Sequence, residues 1–176
     1  MGDAIDATVF GLPAGGLTLV ASGSTSATST LTLDNVFTAA YRNYKLFIDG
    51  VSSANDIDIV LKLRTGGVTN SNANYAQNQI SSAASYGITR SSGSGNTVFH
   101  STLASGTIKI VHESIFFAPQ VAIATGYQAM STSLSATFYQ YLYGGSFANT
   151  TQFDGFIFTP SSGTITLNYR LYGMAD

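Results

Sequence analysis

The stretch FDGFIFTPSSGTITLNYRLYG, Phe153 to Gly173, decides the fold. Ile165, Leu167, Tyr169 and Leu171 alternate with Thr164, Thr166, Asn168 and Arg170, which sets the apolar residues on one face of a pleated strand. Upstream, Phe156, Ile157 and Phe158 lead into Pro160-Ser161-Ser162-Gly163. There proline presets φ and glycine accepts a positive φ. Two strands folded into a hairpin around one tight turn are expected, and with them an all-β domain.

The rest of the chain agrees with that class. In DIDIVLKLR, Ile57, Ile59, Leu61 and Leu63 point one way, while Asp56, Asp58, Val60, Lys62 and Arg64 point the other. Strand patterns also cover Leu17 to Ser22, Thr30 to Asp34, Tyr44 to Ile48, Val98 to Leu103, Ile108 to Phe117, Val121 to Gln128 and Leu134 to Tyr143. Phe37 to Asn43 could make one helical turn. Residues 1–16, with two aspartates, Pro13 and paired glycines, read as an extended N-terminal arm before a single domain over 17–176. Residues 65–95, rich in Asn, Ser, Ala, Gln and Gly, read as a long polar loop region. About nine or ten strands at spacings of about 8 to 15 residues suggest an antiparallel β-sandwich or barrel rather than βαβ units.

Composition narrows the function classes. Only 9% of the 176 residues are charged, and Ser and Thr supply the polarity instead. With 44% hydrophobic residues and a net charge of −2, the chain is apolar enough to fold. So weak a net charge gives little electrostatic repulsion, and solubility must rest on hydroxyls and on hiding sheet edges in an assembly. Without cysteine there is no disulfide scaffold, thiol nucleophile or cysteine zinc site. No secretory signal or long apolar run is visible, and Asp6 stands where a myristoylation motif needs Ser or Thr. Basic residues are few and scattered, so neither a nucleic-acid partner nor a membrane is expected.

Candidate chemistry is thin. Asp49, Asp56 and Asp58 could offer oxygens to calcium, but Lys62 and Arg64 share the strand face and could neutralise them. A charged surface patch of Asp56, Asp58, Lys62 and Arg64 is therefore expected. His100, His112 and Glu113 could meet across a sheet, but a zinc or iron site usually needs three protein ligands in known geometry, so structural histidines are expected. No G-x-S-x-G elbow, P-loop lysine or positioned carboxylate pair appears, so neither catalysis nor a cofactor is expected. The aromatic run of Phe138, Tyr139, Tyr141 and Tyr143 is more suggestive. With Phe138 in the core, the three tyrosines would face outward and, with Tyr75 and Tyr86, could form a subunit interface or stack on glycan; ordinary sandwich core is the third reading of the run.

Gly16 to Val51, GLTLVASGSTSATSTLTLDNVFTAAYRNYKLFIDGV, carries a Ser/Thr-rich strand, the corner Asp34 to Phe37 and the Tyr41-x-x-Tyr44 strand. The chain closes with Ser162-Gly163 and Leu171-Tyr172-Gly173. In these features it resembles a widespread group of small tailed-phage structural proteins, over about a third of its length. The resemblance implies a jelly-roll-like sandwich and a location in the virion, assembled in the host cytoplasm. It also implies a homotrimer contacting the major capsid protein as a decoration (cement) protein, or contacting tail proteins as the head of a tail fibre that binds host surface glycan.

Overall fold

The computed structural model describes residues 16–54, 57–82, 88–104, 109–134 and 139–175. They form thirteen strands and no helix. In chain order these begin with β1 (Leu17–Ser24), β2 (Leu31–Leu33), β3 (Asn43–Ser52), β4 (Ile57–Thr65) and β5 (Val68–Thr69). Next come β6 (Tyr75–Ser82), β7 (Ile88–Asn96), β8 (Phe99–Ala104) and β9 (Lys109–Phe117). The last four are β10 (Thr125–Leu134), β11 (Tyr139–Phe147), β12 (Gly155–Pro160) and β13 (Ile165–Met174). Pairing is antiparallel throughout. The larger sheet has eight strands in the order β1-β13-β3-β9-β10-β11-β6-β7. The smaller runs β2-β12-β4, with β5 and β8 both paired to β4 beyond it.

The two sheets lie face to face, an arrangement consistent with a β-sandwich. Their inner faces follow directly from alternation: β4 buries Ile57, Ile59, Leu61 and Leu63 in strict period two, and β3 buries Tyr44, Leu46 and Ile48. Aromatic rings bridge the layers. Phe116 of the larger sheet stacks on Phe156 of the smaller at 5.3 Å, Tyr127 stacks on Phe99 at 4.6 Å, and His112 meets Phe158 edge-on at 5.6 Å.

The closing segment departs from the expected hairpin. β12 and β13 do not pair with each other: β12 pairs with β2 and β4, and β13 with β1 and β3. Pro160 to Thr164 is a corner that carries the chain from one sheet to the other. The Ser161 N–H donates to the Asp58 carbonyl at 2.8 Å, the Ser53 N–H to the Thr164 carbonyl at 2.8 Å, and the Thr164 N–H to Ser53 Oγ at 2.8 Å. Gly163 takes φ 71°, the left-handed conformation that lets the corner close. Phe156 and Phe158 therefore face Ile165, Leu167 and Leu171 through the same core from opposite layers.

The other corner explains the remaining motifs. Residues 37–42 make a turn and no helical one, and Asn43 already belongs to β3. Asn35 sits at φ 57°, which asparagine tolerates, and the Val36 and Phe37 N–H groups both donate to the Asp154 carbonyl. Tyr44 closes the turn, its hydroxyl donating to the Thr38 carbonyl at 2.7 Å and accepting the Thr38 N–H at 2.6 Å. Tyr44 is also opposite Gly173, and the Tyr41 ring lies over that glycine where any Cβ would stand. The Tyr-x-x-Tyr and Leu-Tyr-Gly motifs thus meet at one place.

Within 65–95 the described residues are not a structureless loop, and 83–87 lie outside them. The segment holds β5, β6 and most of β7, with Gln77, Asn78 and Gln79 opposite Gly93, Ser92 and Ser91. The apolar alternation that marks a strand is missing because this end of the larger sheet extends past the smaller one. Only Tyr75 and Gln77 of β6 are buried, and Arg90 to Gly95 are exposed. The backbone ladder forms these strands, and most of their described side chains reach water.

Candidate functional site

Two surfaces stand out on the larger sheet. The first is a polar groove where β6 and β7 overhang β8, a hollow of about 500 Å³. Asp58, Gln77, Gln79, Ser91, Asn96, His100 and Tyr143 line it. Its floor is held by the Gln77 amide, which donates to the His100 carbonyl at 2.9 Å and accepts the His100 N–H at 2.7 Å. Burial, and after it the neighbouring Tyr127, Tyr141 and Asp58, push the Tyr143 hydroxyl pKa far up, so it faces the groove as a neutral group.

The second surface is the outer face of the larger sheet. Strand alternation buries one set of side chains against the smaller sheet and leaves the other set out. Here that other set is unusually apolar: Val111, Phe117, Met130, Leu142 and Ile80 are all more than two-fifths exposed. The cross-strand register aligns Glu113, Met130, Leu142, Ile80 and Arg90 in one row over β9, β10, β11, β6 and β7. Toward β3 the face becomes charged. Lys45 Nζ binds Glu113 Oε1 at 2.7 Å and lies 4.9 Å from the Phe47 ring centre. Phe47, Asp49, Val111, Asn168, Arg170 and Tyr172 surround a shallow hollow of about 380 Å³ there.

The structure redistributes the residues singled out from the sequence. Tyr139, Tyr141 and Tyr143 do share a face and stack in a ladder, with ring centres 6.3 and 6.0 Å apart. That face points inward: Tyr141 and Tyr143 are 4% and 3% exposed, and Tyr139 is half-buried. Alternation tells which residues go together but not which way they face, and three phenol rings carry more apolar area than Gln140, Leu142 and Gly144 opposite them. Tyr75 is likewise core, at 0% exposure, its ring edge-on to Phe99 and Phe147. These rings form no outward stripe, and of them Tyr143 lines the polar groove. Tyr86 and Asp56 lie outside the described residues, as does Phe138.

The expected charged patch is dispersed. Asp58 lines the groove, Lys62 reaches Ser71 Oγ at 3.1 Å, and Arg64 grips Asp34 with Nε–Oδ1 at 2.7 Å and Nη2–Oδ2 at 3.1 Å. Asp49 accepts from Asn168 at 3.3 Å and faces Lys109 at 3.9 Å. His112 is buried in the larger sheet while His100 belongs to the smaller. Among the described residues no three His, Cys, Asp or Glu side chains come together.

The row through Leu142 had no linear signal. Its five residues come from five strands and meet only through register. Ile80 and Arg90 also lie inside the stretch whose composition suggested a loop. In comparisons with known proteins no family model matches this chain, and no curated protein or solved structure is similar to it.

Proposed function

We propose that this chain is a non-enzymatic structural component of a bacteriophage virion. Its role is that of a capsid decoration protein with a jelly-roll-like sandwich that assembles as a trimer and stabilises the head. One observation carries the assembly role: a broad sheet face with Val111, Phe117, Met130, Leu142 and Ile80 exposed to water. Contiguous apolar surface of this kind marks an interaction site rather than a solvated surface. The virion setting comes from the resemblance at the two ends of the chain, whose motifs build a turn, a corner and a ring-on-glycine contact.

The test is a copy count on purified particles together with their resistance to heat and osmotic shock. Copies on the order of hundreds, and fragile particles when the chain is missing, are expected. A count of a few dozen or fewer, or full resistance without the chain, would remove the cement role.

A second role, as a receptor-binding head on a tail fibre, is favoured by the polar groove rather than by the tyrosines. Its amides, Asp58 and partly buried His100 present the donors and acceptors that a sugar's hydroxyls need. Titrating host polysaccharide against the labelled protein would shift the amide resonances of Gln77, Gln79 and His100. No shift there would dispose of it.

A further inference from the structure

The row across the outer face has a symmetry of character: Glu113, Met130, Leu142, Ile80, Arg90, an acid and a base flanking three apolar residues. Glu113 and Arg90 each lie two strands from Leu142, and Met130 and Ile80 one strand each. We propose that two copies of this chain pair back to back through this face, around a two-fold axis running along the strands and passing by Leu142. Such a pairing names the partner that covers the face on which the proposed function rests.

An axis in that direction reverses the lateral order of one sheet over the other. Leu142 then meets Leu142 of the second copy, Met130 meets Ile80, and Glu113 meets Arg90. Arg90 is exposed and makes no ion pair among the described residues, so the contact would supply one. An axis across the strands would instead set Glu113 against Glu113 and Arg90 against Arg90. Charge complementarity therefore selects the first axis.

The neighbouring rows agree with it. On one side of Leu142 the register runs Gln128, Gly144, Asn78, so the axis brings the Gln128 amide to the Asn78 amide of the second copy. Gly144, with nothing within 4 Å of its Cβ direction, leaves the centre open for close approach. On the other side Thr132, Gln140 and Ser82 match polar to polar. A face of five strands at about 4.8 Å spacing and about eight residues tall covers roughly 650 Å² per copy, or about 1,300 Å² for the pair. That lies within the range of specific interfaces. Aligned packing at about −30° is the ordinary geometry for two twisted sheets.

The experiment is sedimentation equilibrium on the purified chain over a range of concentrations, with circular dichroism confirming the fold of each variant. Two copies per particle are expected, or six where a three-fold contact operates as well. Leu142→Glu, which sets two carboxylates together at the axis, should leave one or three; Leu142→Asn gives the same readout if the glutamate variant does not fold. Arg90→Glu and Glu113→Arg should each weaken association tenfold or more, and the double exchange should associate more tightly than either, short of the parent because Lys45, bound to Glu113 at 2.7 Å, then meets an arginine. A monomer at every concentration, an odd-numbered assembly, or association indifferent to Leu142→Glu would overturn the pairing. So would a double exchange no better than either single change. A failure here leaves the virion role standing, and absence of the chain from particles leaves the pairing standing, because each is measured on a different preparation.

Discussion

Tyr75→Phe separates a hydrogen bond from the ring that carries it. The Tyr75 hydroxyl donates to the Asn70 carbonyl at 3.0 Å and accepts the Leu63 N–H at 3.1 Å, joining β4 to the start of β6 inside the core. Phenylalanine keeps the edge contacts with Phe99 and Phe147, both at 4.8 Å, so packing changes by little more than one oxygen. The Leu63 N–H is then buried without its partner, which costs about 1–3 kcal/mol. For a domain of this size each kcal/mol moves Tm by about 2–4 °C, so a loss of about 2 kcal/mol corresponds to a fall of about 4–8 °C at neutral pH.

The same hydroxyl predicts an opposite trend in alkali. Burial pushes its pKa from 10.0 up to about 12, against the Leu63 N–H, which favours the phenolate. Below pH 10 both folded and unfolded chains hold the proton and the full contribution is present. Between pH 10 and about 12 the unfolded chain releases it first, so folding stability falls as pH rises, by up to about 2.7 kcal/mol. Phenylalanine has no proton to lose. Urea unfolding followed by circular dichroism at pH 7 and at steps from pH 9 to 12 should show the parent ahead by about 2 kcal/mol at neutrality, with the gap closing above pH 10. The other nine of the ten tyrosines are common to both chains and cancel to a first approximation. Equal stability at pH 7, or a gap unchanged from pH 9 to 12, would refute the assignment of this hydroxyl as a buried bridge.

Three further outcomes follow from local geometry. Asp34→Asn removes the charge that Arg64 grips through two nitrogens and turns an amide toward the guanidinium; a loss of about 1–3 kcal/mol is expected, and an unchanged urea midpoint would mean the fork contributes nothing. Gly163→Ala forces φ 71° on an L-residue and brings its Cβ within 2.7 Å of Ser53 Oγ, so the corner between the sheets should lose about 1–3 kcal/mol, read as a lower Tm. Gly173→Ala drives the Tyr41 ring off its seat; a similar loss accompanied by a rise in tyrosine solvent accessibility is expected, whereas a destabilised variant with Tyr41 still in place would locate the strain elsewhere.

The strands most legible in the sequence were those clamped between the layers. β4 and β13 alternate because each has one face against the core, and their boundaries follow from the pattern. β6 and β7 were illegible for the opposite reason: nothing covers most of their residues, so no apolar period is imposed. β10 starts four residues later than its apolar pattern suggested, at Thr125, and Leu134, where the next pattern began, is the last residue of β10. Before β10, the Val121 and Ile123 N–H groups are held instead by local carbonyls of Ala118 and Val121.

The candidate surfaces were harder still to read. Tyr139, Tyr141 and Tyr143 share one face, as alternation requires, but alternation is symmetric between inside and outside until a second layer breaks the tie, and here it turns them inward. The apolar row of Met130, Leu142 and Ile80 draws on residues far apart in the chain and has no meaning until register aligns them. Local sterics and a period of two are enough to read an all-β chain, to group the residues of each strand face and to place Gly163 in a turn. That Phe153 to Gly173 spans two sheets instead of forming a hairpin, that the tyrosine ladder is core, and that an apolar face is left exposed became visible only with the sheets assembled. Those outcomes depend on which sheet covers which, and that is set by contacts between residues distant in the chain.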